Sequence, residues 1–129
     1  MSHHRIIKLH HRFIHAFFIY AFFIHSMTST ATYRLLHDRL NRETARLHWH
    51  ELLLHFASGN VVTVDGSLDL IDVAVRMSLD EAEQIKQWME KGLFGRVSDT
   101  QASAWLNDDP ALWTVIVKPW ILVQAAKSA

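Results

Sequence analysis

Cysteine is absent from all 129 residues, which removes disulfides, thiolate nucleophiles and cysteine-based zinc sites together. That absence suits a cytoplasmic protein. Glycine and proline are scarce, at four and two residues. Gly59, Gly66, Gly92 and Gly95 stand apart from one another, so no glycine-rich phosphate loop exists, and no G-x-S-x-G nucleophile elbow is present. Acidic residues are missing before Asp38. Residues 1–26 carry Arg5, Lys8 and Arg12, whereas the remaining 103 residues carry 10 basic and 13 acidic side chains, a net of −3. A mildly acidic body has no electrostatic reason to bind nucleic acid non-specifically.

A membrane-spanning run is lacking as well. The most apolar stretch, "FIHAFFIYAFFIH" at residues 13–25, holds an apolar segment from Phe13 to Ile24 interrupted by His15. As a helix it would reach roughly 18 Å, against a hydrocarbon core of about 30 Å. Extending it back to Ile6 draws Lys8 and Arg12 into the bilayer at about 2.5–3.5 kcal/mol per central charge. No stable membrane insertion is expected. The stretch admits three readings: an export signal ending near residue 31, an interfacial anchor, or residues upstream of a true start at Met27. The abrupt change of composition favours Met27, since six of ten histidines and five of seven phenylalanines precede it. Residues 1–29 are therefore placed outside the domain and residues 30–127 within it. The expected location is the cytoplasm, or outside it if residues 1–31 are a signal peptide.

What remains has globular composition, with half of the whole chain hydrophobic and a fifth charged. Leu35, Leu36, Leu40 and Leu47 recur at helical spacing, which predicts an amphipathic helix over 32–46. "HWHELLLHFASG" predicts a second, with Trp49, Leu52, Leu53 and Phe56 on one side and Gly59 just past its end. "NVVTVDG" is β-branched and closed by Asp-Gly, a strand over 60–65. Asp69 is placed to cap a helix that buries Leu70, Val73, Ala74 and Met77. "SLDE" predicts a capping box of Ser78 and Glu81 opening a helix that carries Ile85, Trp88 and Met89 and stops at Gly92. "SDTQ" opens another through Ser98 and Gln101, with Ala102 and Trp105 on its apolar side, after a short strand at "GRVS". Finally, "LWTVIVKPWILVQ" is β-rich with Pro119 inside it: an edge strand, a bent strand, or two elements that reverse at Lys118–Pro119. The fold class expected is α+β, a single small domain of several helices and a short sheet behind a hydrophobic N-terminal segment.

Candidate chemistry is sparse. On an α-helix His48, Glu51 and His55 fall within about 60° of one another, a spacing that two imidazoles and a carboxylate need to hold a divalent metal; a solvated helix face is the plainer reading. Asp65, Asp69 and Asp72 surround a strand-to-helix turn and offer oxygen ligands for magnesium or calcium, although an N-cap and a first-turn aspartate explain two of them without a metal. Either set would serve a metal-dependent hydrolase. Residues 69–97 have the outline of a helix-turn-helix regulator with a wing, but Asp80, Glu81, Glu83 and Glu90 outnumber Lys86 and Lys91 on the helix meant for DNA. Five tryptophans distinguish the body. Trp49, Trp88 and Trp105 occupy positions their helices should bury, while Trp113 and Trp120 would face opposite sides of one continuous strand, leaving one for a partner.

"LNRETARLHWHEL" (40–52), "FASG" (56–59), "LDLIDVA" (68–74), Trp88 with Gly92, "VSDTQASAW" (97–105) and "LWTVIVKPWILVQ" (112–124) together resemble a bacterial family, domain of unknown function 2288. The resemblance covers about residues 33–125 and leaves 1–26 outside. It implies retention of Trp49, Glu51 and Leu52 without a demand for His48, His50 or His55, which weakens the metal reading. It brings no activity, cofactor or catalytic residues. The function favoured is therefore a non-catalytic protein-binding module with no cofactor, its partner an unidentified protein or a second copy of the chain. Its contact residues are expected among Trp49, Glu51, Trp113, Pro119, Trp120 and Gln124; the hydrolase and the regulator stand as alternatives. If the globule owes nothing to the apolar leader, a chain beginning at Met27 melts cooperatively at the temperature of the full chain. An insoluble or molten product from Met27 defeats that expectation.

Overall fold

The computed structural model describes residues 30–125. The expectations for residues 1–29 and 126–127 lie outside the described residues. The body is α+β, with five α-helices and a five-stranded mixed sheet. In chain order the elements are α1 (Thr30–Glu43), β1 (Ala45–His48), a 3-10 turn (Trp49–Leu52), α2 (Leu53–Ala57), β2 (Val61–Val64), α3 (Leu70–Ser78), α4 (Ala82–Glu90), β3 (Phe94–Arg96), α5 (Asp99–Asp108), β4 (Ala111–Val117) and β5 (Trp120–Gln124).

The strands lie in the order β1-β4-β5-β2-β3. β1, β4 and β5 are successively antiparallel, β5 and β2 run parallel, and β3 closes the far edge antiparallel to β2. Helices cover both faces. On one, Leu40 of α1, the Val73–Met77 stretch of α3 and Ile85 and Trp88 of α4 pack on Val62, Val64, Val115, Trp120 and Leu122. On the other, Trp49, Leu52, Ala102 and Trp105 pack on Val61, Leu112, Ile121 and Val123. The alternation of partners along β2 and β5 is the period-2 geometry of a strand with both faces buried. At about 25 cal/mol per Å² of apolar area, each buried valine, leucine or isoleucine among them stabilises by about 1.5–3 kcal/mol against the unfolded chain.

Several local signals operate as their chemistry dictates. The Asp69 carboxylate accepts from the N–H of Ile71 and Asp72, and the Ser98 hydroxyl accepts from Gln101 N–H. Gly59 lies one residue beyond the C-cap of α2 at φ +78°, and the Arg96 guanidinium approaches to 2.8 Å from where a Cβ would stand. Any side chain there meets both backbone strain and Arg96.

Other expectations are overturned. The first helix stops at Glu43 because residues 45–48 pair with β4 as β1, so Leu47 belongs to the sheet. Leu35 is then 70 % exposed, and Leu36 and Leu40 carry the packing face of α1. Leu53 is exposed rather than packed with Trp49 and Leu52. Ser78 caps nothing: it is the last residue of α3 and its hydroxyl donates to the Ala74 carbonyl at 2.9 Å. Glu81 precedes α4 and binds the Arg76 guanidinium at 3.0 Å instead of closing a box. Arg76 also holds Asp72, which accepts from the Tyr33 hydroxyl, so one polar chain ties α1, α3 and the start of α4. Of the three readings of Pro119, the reversal holds and the edge strand does not. The chain reverses at Lys118–Pro119, and β4 and β5 form a central hairpin.

The α3–α4 turn requires a left-handed residue, and Asp80 supplies it at φ 59°. Its Oδ2 is buried without a partner, and burial raises the carboxyl to about 7. A carboxyl raised on folding favours the native state below its unfolded value and loses that advantage as pH rises through 7. Asp80→Asn keeps a residue that tolerates this conformation and removes the charge. The variant should be more stable than the parent by about 1–2 kcal/mol at pH 8, after discounting for partial exposure, with the gap shrinking towards pH 5. Denaturant melts at the two pH values measure it.

Candidate functional site

A concavity lies where the end of α1, the start of α3 and the β4–β5 hairpin meet. It is an open cleft of about 240 Å³ lined by Asn41, Thr44, Asp69, Trp113 and Gln124, with Leu70 and Ile71. Its floor follows from strand register. Trp113 and Gln124 are directly paired across β4 and β5, so their side chains share a face. Gln124 is only 2 % exposed, and its Nε2 donates to the Asp65 and Leu68 carbonyls at 2.9 and 2.8 Å. Two carbonyl acceptors fix that branch as the NH2, which leaves Oε1 as the open acceptor. Trp113 is 40 % exposed, with the Arg46 guanidinium 4.9 Å from its ring centroid. Arg46 sits opposite Trp113 on β1 and donates to the Ala111 carbonyl at 3.1 Å.

Asp69 forms the rim opposite. Its Oδ1 receives both cap hydrogen bonds, from Ile71 at 2.9 Å and Asp72 at 3.1 Å, so Oδ2 stays unspent. Thr44 donates its hydroxyl to the Leu40 carbonyl at 2.7 Å, closing the C-terminal end of α1. The cleft thus gathers an indole face, a carboxylate oxygen, a carboxamide oxygen and the carbonyl end of a helix. Nothing in that set is a nucleophile paired with a base.

Of the residues expected to make contacts, Trp113 and Gln124 meet in this cleft and the others do not. Trp49 and Trp120 are buried at 1 % and 3 % exposure and cannot meet a partner. Trp49 packs against Phe56 and Trp105 with the rings tilted, and its Nε1–H is buried without an acceptor. Pro119 is exposed, but at the opposite end of the hairpin, about 13 Å along the strand from the Trp113–Gln124 pair. Glu51 is exposed on the other side of the sheet from the cleft, where its Oε2 accepts from His48 N–H at 2.8 Å. Asn41, Thr44 and Asp69 were not expected beside Trp113. No periodicity links them; only the return of β4 beneath α1 and α3 does.

The proposed metal ligands are likewise dispersed. Among the described residues no group of three or more His, Asp or Glu side chains is arranged to hold a metal ion. The angular argument for His48, Glu51 and His55 assumed one α-helix, but Trp49–Leu52 is a 3-10 turn and His48 precedes it. The His48 ring turns to the Asp109 carbonyl at 2.9 Å and stacks on His50. Asp65, Asp69 and Asp72 each serve the fold. Ser67 gives its N–H and hydroxyl to Asp65 at 3.0 and 2.6 Å, holding that carboxyl below its usual range, and Asp72 is shared by Tyr33 and Arg76. Also among the described residues, no helix is long and apolar enough to cross a membrane.

The fold is a small α+β domain with a two-sided sheet and an open polar-aromatic cleft. The chain belongs to the family described as protein of unknown function DUF2288, which matches residues 35–125. It is similar to the protein PA1075 of Pseudomonas aeruginosa, known from a solution NMR structure: 35 % identity, 79 % of this chain and 93 % of that one covered, TM-score 0.64. A comparison with curated proteins gave no match.

Asp109 ends α5 at φ 45° and accepts from the backbone N–H and ring Nδ1 of His50 at 2.9 and 2.8 Å. These bonds to His50 hold its carboxyl below the usual range. A carboxyl lowered on folding stabilises above its unfolded value, and that contribution is lost as pH falls through the folded one. Asp109→Asn keeps the left-handed residue and deletes the charge. Its melting temperature should lie below the parent's at pH 6, and the two should converge below about pH 4.

Proposed function

We propose that this domain is a non-catalytic binding module and that the cleft around Trp113 is where a protein partner docks. The carrying observation is that Trp113 remains two-fifths exposed while the Asp69 and Gln124 oxygens beside it are left without partners. A large rigid aromatic next to unspent polar groups is how interface anchors are built. The cleft is smaller than the roughly 300–1,000 Å³ of typical small-molecule pockets, which suits insertion of one side chain from a larger surface. Its walls belong to packed elements, since Leu40 of α1 and Leu70 of α3 are buried. Binding there demands little reordering. In this reading the protein acts in the cytoplasm, which the cysteine-free sequence supports.

A photo-crosslinking amino acid at Asn41, on the cleft rim, tests the assignment in cells against the same group at Glu83 on exposed α4. Discrete adducts should form from position 41, disappear when Trp113→Ala is added, and be missing from position 83. Equal adducts from both positions, or none from position 41, would remove the docking assignment.

A further inference from the structure

We infer that the Trp113 cleft receives a guanidinium group, supplied by an arginine side chain of the docking partner. This rests on the cleft being the docking site and adds the chemistry of what enters it. Beside the Asn41 amide and the Trp113 indole N–H, which can donate, the cleft offers an anionic and a neutral acceptor on its inner side. Asp69 Oδ2 is anionic and unspent because Oδ1 takes both cap bonds. Gln124 Oε1 is an open acceptor on a side chain 98 % withdrawn from solvent, because Nε2 is committed to two carbonyls. Asn41 and Thr44 mark the C-terminal end of the 14-residue helix α1, where the macrodipole is negative. The positive end of α3 also faces the cleft, but its cap is Asp69, whose charge offsets it.

The aromatic wall sharpens the choice among cations. Arg46 already stacks its guanidinium on Trp113, so the protein itself shows that this ring accepts one. Arg46 is anchored on β1 by the Ala111 carbonyl and does not line the cleft, so a second guanidinium would use the cleft side of the indole. A guanidinium is planar, is weakly hydrated and presents five donors in a fork, which allows it to stack and to bridge two separate oxygens at once. An ammonium is a compact, strongly hydrated charge that does only one of these well. The volume of about 240 Å³ accommodates a single such side chain.

The test follows the indole N–H resonance of Trp113, assigned by its loss in Trp113→Phe, while the full chain is titrated with four probes. These are N-acetyl-arginine methylamide, its lysine and citrulline counterparts, and free arginine. The blocked arginine should saturate with about millimolar affinity, at least about tenfold tighter than citrulline, which keeps the shape and lacks the charge. Asp69→Asn preserves the helix cap and should weaken arginine binding by about tenfold. Citrulline or lysine binding as tightly as arginine, no saturation by about 50 mM, or an unaffected Asp69→Asn overturns the inference. Free arginine binding more tightly than the blocked form assigns the site to a small molecule and overturns the side-chain source. Adducts from position 41 that persist while these titrations fail leave the docking site standing and remove only its guanidinium preference.

Discussion

Every residue of β5, from Trp120 to Gln124, is buried, and the rest of the architecture answers that constraint. A strand buried on both faces needs a layer of helix on each side and a strand on each edge. The chain meets this by returning its last two strands into the middle of the sheet, β4 on one side of β5 and β2 on the other. The pairing with β2 is the one parallel contact among the described strands, and it joins segments some 60 residues apart. The two clusters of buried side chains meet only through this strand and its neighbours, so β5 binds the α1–α3–α4 layer to the Trp49–Trp105 layer.

The same constraint creates the cleft. At its last position the strand carries glutamine where alternation calls for an apolar residue, and a buried carboxamide must be satisfied. Half of it is: the two carbonyls of the 65–68 turn take the NH2, which also holds that turn against the sheet and aims α3. The oxygen half faces the gap that remains because α1 ends at Glu43 and α3 begins only at Leu70. Trp113, the cross-strand neighbour of Gln124, fills part of that gap and leaves one side of its ring uncovered. Structural demand and binding capacity are thus two ends of one side chain.

Much of this was legible in the sequence, and the reasons for the misses are physical. Caps at Asp69 and Ser98 and the stop at Gly92 are local events, decided within four residues, and they stand where their chemistry places them. The β1 strand was not legible. "ARLH" has no β-rich composition, and its conformation comes from pairing with residues 111–114 far along the chain. Ser78 with Glu81 satisfied the letter of a capping box, but the left-handed Asp80 between them and the attraction of Arg76 for Glu81 redirected both side chains. The trio of His48, Glu51 and His55 failed for a similar reason, because a 3-10 turn rotates residues by about 120° each and an α-helix by about 100°.

Trp113 and Trp120 show how a sound parity argument depends on topology. Seven positions apart on one strand, they would face opposite ways; once the chain reverses at Lys118–Pro119, the register Val117↔Trp120 and Trp113↔Gln124 puts both on the α1–α3 face. Their different exposure then has nothing to do with parity. Trp120 lies within the cluster of Leu40, Val73 and Ile85, whereas Trp113 lies beyond the end of α1, covered in part by Arg46 and otherwise open. A ring at the mouth of a cleft that also holds the Asp69 and Gln124 oxygens suits a cationic donor from outside the chain, and this connects the burial of β5 to the binding role proposed for its neighbour.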